Sequence, residues 1–266
     1  MTRRRLDSEL VRRGLAHSRT EAQIAVRSGL VVVGGRPAEK PSTLVTADEA
    51  VELQAPARRF VSRGGDKLEA ALSRFGVEVA KRDCLDVGAS TGGFTDCLLY
   101  HGAARVAAVD VGYGQLAWAI RRDPRVTVLE RTNARGLSPA DLPFAPSVVV
   151  ADVSFISLRL IVPAAAAVAA EGADFVLLVK PQFEAVPENV GKGGVVRDPG
   201  VWRRSIVDVA SACERSGVGA RSLVASPLAG PAGNVEFLLH ARKGQVGQPI
   251  DVDGVLEEGM RVGGAV

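Results

Sequence analysis

The sequence predicts an α/β protein in which a Rossmann-like domain follows a small α+β domain. Three observations lead to this fold class: short apolar runs alternate with helical segments from Asp83 onward, a glycine-rich turn follows the first run, and the first 60 residues have their own charge balance. Alternating strands and helices are typical of a parallel sheet with helices on both faces. The length of 266 residues, 47% of them hydrophobic, suits one large domain and one small one.

The first domain is predicted to hold two short helices and a small sheet. Apolar residues within 6–11 and 22–26 have helical spacing, and Ser18 is placed to cap the second helix. The runs at 30–33 and 51–53 predict strands, the first of them followed by a tight glycine turn.

The excess positive charge of the chain lies in this first domain. Residues 1–60 contain 11 Lys or Arg against 7 Asp or Glu, whereas residues 61–266 contain 22 against 23. Such an asymmetry is typical of a nucleic-acid-binding module attached to a neutral enzyme. A solvated basic surface without a partner is the alternative.

Residues 5–19, R-L-D-S-E-L-V-R-R-G-L-A-H-S-R, and the later turn G-L-V-V-V-G-G resemble the S4 RNA-binding domain. This resemblance implies that a basic helical face lies against structured RNA. Arginine suits that role because it contacts phosphates through two donors and stacks on bases. The matching candidates are Arg3, Arg4, Arg5, Arg12, Arg13, Arg19 and Arg27.

A polar passage and the segment Ser62-Arg63-Gly64-Gly65 separate the two domains. The next helix is expected to begin with Asp66 as its cap and Lys67 in its first turn. The predicted parts are an RNA-binding domain at 1–59, a linker at 60–63, a Rossmann-like domain at 64–243, and a tail at 244–266 with room for a short helix.

The second domain is predicted as a doubly wound parallel sheet. Its strands are expected at 84–87, 106–110, 126–129, 148–152, 175–180, 223–226 and 235–240. Its later helices are expected at 93–100, 114–121, 158–170 and 201–216, with Trp118 in the core. The long connection at 184–199 is expected to lie near the substrate entrance.

The first strand leads into a glycine-rich turn that is typical of a nucleotide-like ligand. Gly88 and Gly92 would let the backbone approach a ligand, and Asp110, 24 residues after Asp86, is placed to bind ribose hydroxyls. The turn lacks the middle glycine of G-x-G-x-x-G, which favours S-adenosylmethionine over a dinucleotide. A tight turn with no ligand is the alternative.

Four ionisable residues are predicted to reach one crevice. Asp152 and Lys180 each end an apolar strand, and ligands bind outside the carboxyl ends of parallel strands. With Lys67 and Glu236 they would hold an alcohol and activate its oxygen, provided that one lysine has a lowered pKa. Lys180 is the preferred activating group and Lys67 would place the oxygen. A structural ion pair of Lys180 with Asp152, and a surface position for Lys67, are the alternatives.

Four motifs carry a second resemblance. D-V-G-A-S-T-G-G-F-T at 86–95, V-A-D-V-S-F at 150–155, L-V-K-P-Q-F-E at 178–184 and G-N-V-E-F at 233–237 resemble FtsJ-like ribose 2′-O-methyltransferases. With the S4-like segment in front, the chain resembles the TlyA family, whose members are also called hemolysins.

The resemblance to TlyA implies a Rossmann-like, S-adenosylmethionine-dependent methyltransferase. It would methylate the ribose 2′-hydroxyl of cytidine in 16S or 23S ribosomal RNA, or both, within ribosomal subunits. The implied catalytic tetrad is Lys67, Asp152, Lys180 and Glu236. The implied cofactor contacts are Gly88, Ser90, Gly92, Asp110, Asn133 and Asp152.

Other function classes have less support in the sequence. The three cysteines, Cys84, Cys97 and Cys213, have unrelated spacings, so no metal site is expected and a reducing cytoplasm fits best. No membrane span or signal peptide is expected, which counts against a pore-forming hemolysin. A noncatalytic RNA-binding assembly factor is the remaining alternative. The role of Phe155, at the cofactor or as a plug of the sheet edge, stays open.

Overall fold

The structure is a computed structural model of the 266-residue chain. It describes residues 3–16, 18–27, 29–53 and 59–263. The chain forms two compact units, Met1–Arg58 and Arg59–Val266. The four-part division at 59, 63 and 243 stays a prediction.

In its described residues, the first unit has two helices and two small antiparallel sheets. Its buried core includes Leu6 and Leu10 from the first helix and Val26 from the second, which starts directly after Ser18. The helices are α1 (Leu6–Arg12) and α2 (Arg19–Arg27). The strands are β1 (Arg4–Arg5), β2 (Val31–Val33), β3 (Arg36–Pro37), β4 (Leu44–Val45) and β5 (Val51–Leu53). Strand β2 lies between β3 and β5, and β1 pairs with β4.

The second unit contains a seven-stranded sheet in the order β11-β12-β10-β9-β6-β7-β8. The strands are β6 (Asp83–Val87), β7 (Arg105–Val109), β8 (Val126–Leu129), β9 (Val148–Ala151), β10 (Asp174–Val179), β11 (Val218–Ala225) and β12 (Phe237–Lys243). Strands β6 to β10 are parallel, as predicted, but β12 is antiparallel to both of its neighbours. The prediction of an entirely parallel sheet is wrong here, because β12 follows β11 without a crossover helix and so returns in the opposite direction.

Helices cover both faces of the sheet. They are α3 (Arg63–Phe75), α4 (Gly93–Tyr100), α5 (Trp118–Arg121), α6 (Leu158–Val168), α7 (Pro181–Glu184), α8 (Pro199–Arg215) and α9 (Val252–Gly263). Adjacent strand residues enter opposite cores: Leu85 packs with α6 and α8, and Cys84 packs with α3 and α4. No helix within the described ranges is both long and apolar enough to cross a membrane.

Three local predictions are wrong. Helix α3 begins at Arg63, and its cap is Ser62, whose hydroxyl accepts from the Gly64 N–H, whereas Asp66 lies in the first turn. Residue Trp118 is 70% exposed, not in the core. The helix predicted from residue 114 is shortened because Gly114 adopts a left-handed backbone (φ +72°), which interrupts helical geometry.

Candidate active site

The registers of four adjacent strands bring the predicted catalytic residues to one edge of the sheet. Val87 pairs with Ala151, Ala151 with Leu177, and Val179 with Phe237. The residues next to these strand ends are therefore neighbours: Gly88, Asp152, Lys180 and Glu236. Glu236 reaches this edge because β12 is antiparallel, so its beginning lies beside the end of β10.

Lys180 and Asp152 form an ion pair at this edge, with 2.5 Å between Nζ and Oδ1. The lysine ammonium also donates to the Ser154 hydroxyl at 3.1 Å. Both charged side chains keep some exposure to solvent. The pair can therefore meet a substrate without first being uncovered.

Lys67 and Glu236 form a second ion pair, with 2.5 Å between Nζ and Oε2. Both side chains are buried, and α3 delivers the lysine from its first turns. Gly230 makes room for the carboxylate, since a Cβ there would lie 2.6 Å from Glu236 Oε1. The four ionisable residues are thus arranged as two lysine–carboxylate pairs, one buried and one partly exposed.

A cavity of about 370 Å³ opens beside the glycine-rich turn. At its floor Gly88 has a left-handed backbone (φ +86°), and a Cβ there would overlap the Asp152 carbonyl oxygen. The Asp110 carboxylate accepts from the N–H of Ser90 at 2.8 Å and of Gly112 at 2.7 Å. Each carboxylate oxygen retains a free lone pair that can accept from a ligand hydroxyl.

Most of the residues predicted for the cofactor line this cavity. They are Gly88, Ser90, Asp110, Asn133 and Asp152. Gly92 is absent from the lining. It is the N-cap residue of α4 and has a positive φ of 97°, and a Cβ there would lie 2.9 Å from a Leu116 methyl carbon. Glycine is therefore needed at position 92 because a side chain would collide with Leu116, and not because a ligand approaches there.

Sequence reasoning missed part of the lining. Gln115 and Thr132 border the cavity, each from a loop that follows a strand end. Their positions after β7 and β8 are the only signal that could have found them. Of the four ionisable residues only Asp152 lines the cavity, so it connects the cavity to Lys180.

A buried carboxyl group lies beneath the glycine-rich turn. Asp86 has no solvent exposure and accepts from the Thr95 hydroxyl at 2.6 Å, while its other oxygen has no hydrogen-bond partner. Burial raises the pKa of Asp86 to about 7, and the neighbouring charges of Asp152 and Asp110 act in the same direction.

The segments that follow Asp152 and Lys180 contact each other through two aromatic rings and a buried carboxylate. Phe155 is 92% exposed, has a left-handed backbone (φ +62°), and lies 5.1 Å from the Phe183 ring between centroids. The buried Glu184 carboxylate accepts from the Ser157 hydroxyl and, at 2.7 Å, from the Leu158 N–H at the start of α6. Phe155 lines the cavity, the position expected of a residue that borders the cofactor.

In the first unit, four of the predicted RNA-binding arginines already bind buried carboxylates. Arg5 and Arg19 contact Asp7, and Arg12 and Arg13 contact Glu9. Hydrogen bonds from Arg5 and from Arg12 are the main causes that lower the pKa values of the two carboxyls.

Arg13 differs from the other predicted arginines, because its remaining donors bind the carbonyl oxygens of Thr46, Ala47 and Glu49. It fastens a loop to α1. The remaining candidates Arg3, Arg4 and Arg27 are exposed.

Among the described residues, one group could supply ligand atoms for a metal ion. The ligand atoms of Glu69, Cys97 and His101 lie within 4.8 Å of one another. Glu69 already contacts His101 at 2.5 Å and Arg59 at 3.0 Å. These contacts account for the cluster as an ion-pair network between α3 and α4.

Comparison with known proteins agrees with this architecture. Residues 60–243 match the FtsJ-like methyltransferase family and residues 4–51 match the S4 domain. The chain is 53% identical over 241 residues to the 16S/23S rRNA (cytidine-2′-O)-methyltransferase TlyA of Mycobacterium tuberculosis, covering 90% of each protein.

Solved structures give the same result. A candidate hemolysin from Streptococcus thermophilus superposes with a TM-score of 0.75 at 38% identity, covering 98% of this chain and 97% of that one. A candidate S-adenosylmethionine-dependent methyltransferase from Listeria monocytogenes, 17% identical, shares the fold over 69% of this chain and all of its own, with a TM-score of 0.51. The chain therefore belongs to the TlyA family, in which an S4 domain precedes an FtsJ-like methyltransferase domain.

Proposed function

We propose that this enzyme transfers the methyl group of S-adenosylmethionine to the ribose 2′-hydroxyl of cytidine in ribosomal RNA. The observation that carries the proposal is the position of Asp152, which lines the cavity and binds the Lys180 ammonium. A methyl donor in the cavity and an alcohol beside Lys180 would then both lie next to Asp152.

The cavity residues fit the proposed cofactor. Asp110 offers carboxylate oxygens at the end of β7, where ribose hydroxyls are bound in Rossmann-like folds. Gly88 leaves space where a side chain would collide with Asp152. Gly88, Ser90, Asp110, Asn133 and Asp152 would hold the cofactor, which supplies an electrophilic methyl group on a sulfonium.

The chain's own task is to make the 2′-oxygen nucleophilic. An alcohol is a poor nucleophile, so its proton must be accepted or its oxygen polarised as the new C–O bond forms. We assign this role to Lys180, because it is partly exposed and contacts Asp152 and Ser154. In its neutral form the Lys180 amine would accept the proton of the 2′-hydroxyl as the C–O bond forms. Asp152 would orient the Lys180 side chain, and we assign the placement of the oxygen to Lys67, which Glu236 holds through their buried ion pair.

Ribosomal RNA is the substrate that the N-terminal unit supports. The S4 match, the positive balance of residues 1–60 and the exposed arginines suit RNA. The related TlyA protein is named for cytidine 2′-O-methylation of 16S and 23S RNA. We carry the same substrate to this chain, with one or both subunit RNAs as targets.

The test is methyl transfer from labelled S-adenosylmethionine to separated ribosomal subunits, followed by alkaline hydrolysis of the RNA. A 2′-O-methyl group removes the nucleophile that alkali needs, so the labelled linkage should survive. Label released on a modified base would contradict the proposal. No transfer to either subunit would favour the noncatalytic assembly factor.

A further inference from the structure

An exposed aromatic and basic surface lies on the cofactor side of the methyltransferase unit. It comprises two exposed arginine–aromatic pairs close in sequence, Tyr113 with Arg131 and Trp118 with Arg122, together called the stacking patch. Tyr113 and Trp118 are 68% and 70% exposed. The Arg131 guanidinium lies 4.3 Å from the Tyr113 ring centre, and that of Arg122 lies 5.4 Å from the Trp118 ring.

The stacking patch is fixed to the cofactor cavity through the backbone. The Arg131 N–H donates to the Gly112 carbonyl at 3.1 Å, and the Thr132 N–H donates to the Asp110 carbonyl at 2.9 Å. Gly112, Thr132 and Asp110 all line the cavity. Arg131 itself has a left-handed backbone (φ +54°), so its position depends on these bonds.

The charge around the stacking patch is opposite to that of the rest of its unit. Residues 111–135 contain five arginines and two acidic residues, whereas the other residues of 61–266 contain 17 basic and 21 acidic ones. Both acidic residues of the segment are already paired, Glu130 with Arg121 and Asp123 with Arg125. Within the described part of the chain, neither Arg122 nor Arg131 has a carboxylate oxygen at ion-pair distance, and Arg131 acts on Glu130 only as a nearby charge.

We propose that the stacking patch binds unpaired nucleotides of the substrate RNA next to the methylated one. Exposed aromatic rings stack on bases, and guanidinium groups without carboxylate partners bind phosphates. The local positive charge favours a polyanion over a protein surface of ordinary charge. The inference rests on RNA being the substrate, and it adds a second RNA contact, separate from the S4 unit.

Trp118 provides its own reporter for the experiment. The chain has two tryptophans, and the other, Trp202, is buried in the core. Single-stranded poly(C) is titrated into the full chain while tryptophan emission and bound RNA are both measured. We expect bound RNA to quench the wild-type emission, and Trp118→Phe to bind equally well without that quenching.

Removing individual contacts gives separate signatures. Trp118→Ala should weaken binding by about fivefold or more, the lower end of the effect of one stacked base. Arg122→Ala and Arg131→Ala should each lower the slope of log K against log salt by about 0.7, as expected for one phosphate contact with a single strand. Arg215→Ala, an exposed arginine on α8, is the matched control and should change neither quantity.

The outcomes separate this inference from the proposed function. Two results would refute RNA binding by the stacking patch, even if the wild type methylates RNA. One is poly(C) binding without any quenching of Trp118 emission. The other is an unchanged poly(C) affinity and salt slope in the three alanine variants. An enzyme that binds poly(C) through the patch but leaves ribosomal RNA unmethylated would instead refute the proposed function. Far-UV circular dichroism confirms that each variant is folded.

Discussion

The buried ion pair of Lys67 with Glu236 should be the more important of the two pairs for stability. Glu236→Gln leaves the Lys67 ammonium buried without its partner charge, and Lys67→Met does the same to the carboxylate. Both side chains are almost fully buried, whereas those of Lys180 and Asp152 keep contact with solvent. The same type of substitution should therefore have different effects at the two pairs.

The magnitude follows from this difference in burial. Removing one partner of a buried pair costs about 3–5 kcal/mol of unfolding free energy, because the remaining charge stays desolvated. For a unit of this size the loss corresponds to a fall in melting temperature of about 6–20 °C. Asp152→Asn leaves a partly hydrated lysine that still binds Ser154, so its cost should be about 1 kcal/mol.

The double variant Lys67→Met/Glu236→Gln provides the decisive comparison. With no charge left in the site, it should be more stable than either single variant. Urea unfolding monitored by tryptophan emission reports on the correct unit, since Trp118 and Trp202 both belong to residues 59–266. The reasoning would be refuted if substitutions at the two ion pairs lowered the unfolding free energy equally. It would also be refuted if the loss of unfolding free energy in the double variant equalled the sum of the losses in the single variants.

Three further perturbations test other parts of the site. Asp86 ionises near pH 7 when folded and near 3.8 when unfolded. The unfolding free energy of the wild type therefore falls as pH rises between these values, by at most about 4 kcal/mol, because the folded state retains a proton that the unfolded state has already lost. Asn does not titrate, so the unfolding free energy of Asp86→Asn, measured by urea titration, should increase relative to that of the wild type from pH 5 to pH 8. A difference between the two proteins that stays constant with pH would contradict this. Gly88→Ala should weaken S-adenosylmethionine binding by about tenfold or more in calorimetry, because the new Cβ collides with the Asp152 carbonyl. Gly76→Ala is the control, since Gly76 also has a positive φ but lies in open space. Equal affinities of the two variants for S-adenosylmethionine would contradict the predicted effect of the collision. Glu184→Ala leaves buried donors at the start of α6 unpaired and should cost about 1–3 kcal/mol, whereas a loss below about 0.5 kcal/mol would show that the contact is dispensable.

The part of the fold that the sequence predicts well is the central sheet. The run at 148–151 is a continuous apolar segment bounded by polar residues, and the run at 126–129 is interrupted only by Thr127; the structure has strands at both places. The positions of Asp110, Asp152 and Lys180 follow from the same strands, because each directly follows a strand end.

The remaining features depend on contacts that no local pattern contains. Asp66 and Ser62 are both suitable cap residues by type, and the sequence does not show that α3 begins three residues before Asp66, with Ser62 as its cap. Spacing alone does not show that Asp7 and Glu9 are buried under arginines, since charged residues on a short helix ordinarily face solvent. The pairing of Lys67 with Glu236 joins residues 169 positions apart and depends on the antiparallel return of β12.

The most direct test of the central claim is the single-turnover rate of methyl transfer to ribosomal subunits by Lys180→Ala, with S-adenosylmethionine affinity measured separately. Lys243→Ala, at the opposite end of β12 from Glu236, is the matched control. We predict that Lys180→Ala loses at least about 100-fold in rate while its cofactor affinity stays near that of the control. A Lys180→Ala rate equal to that of the control would contradict the assignment of Lys180 as the group that activates the 2′-hydroxyl.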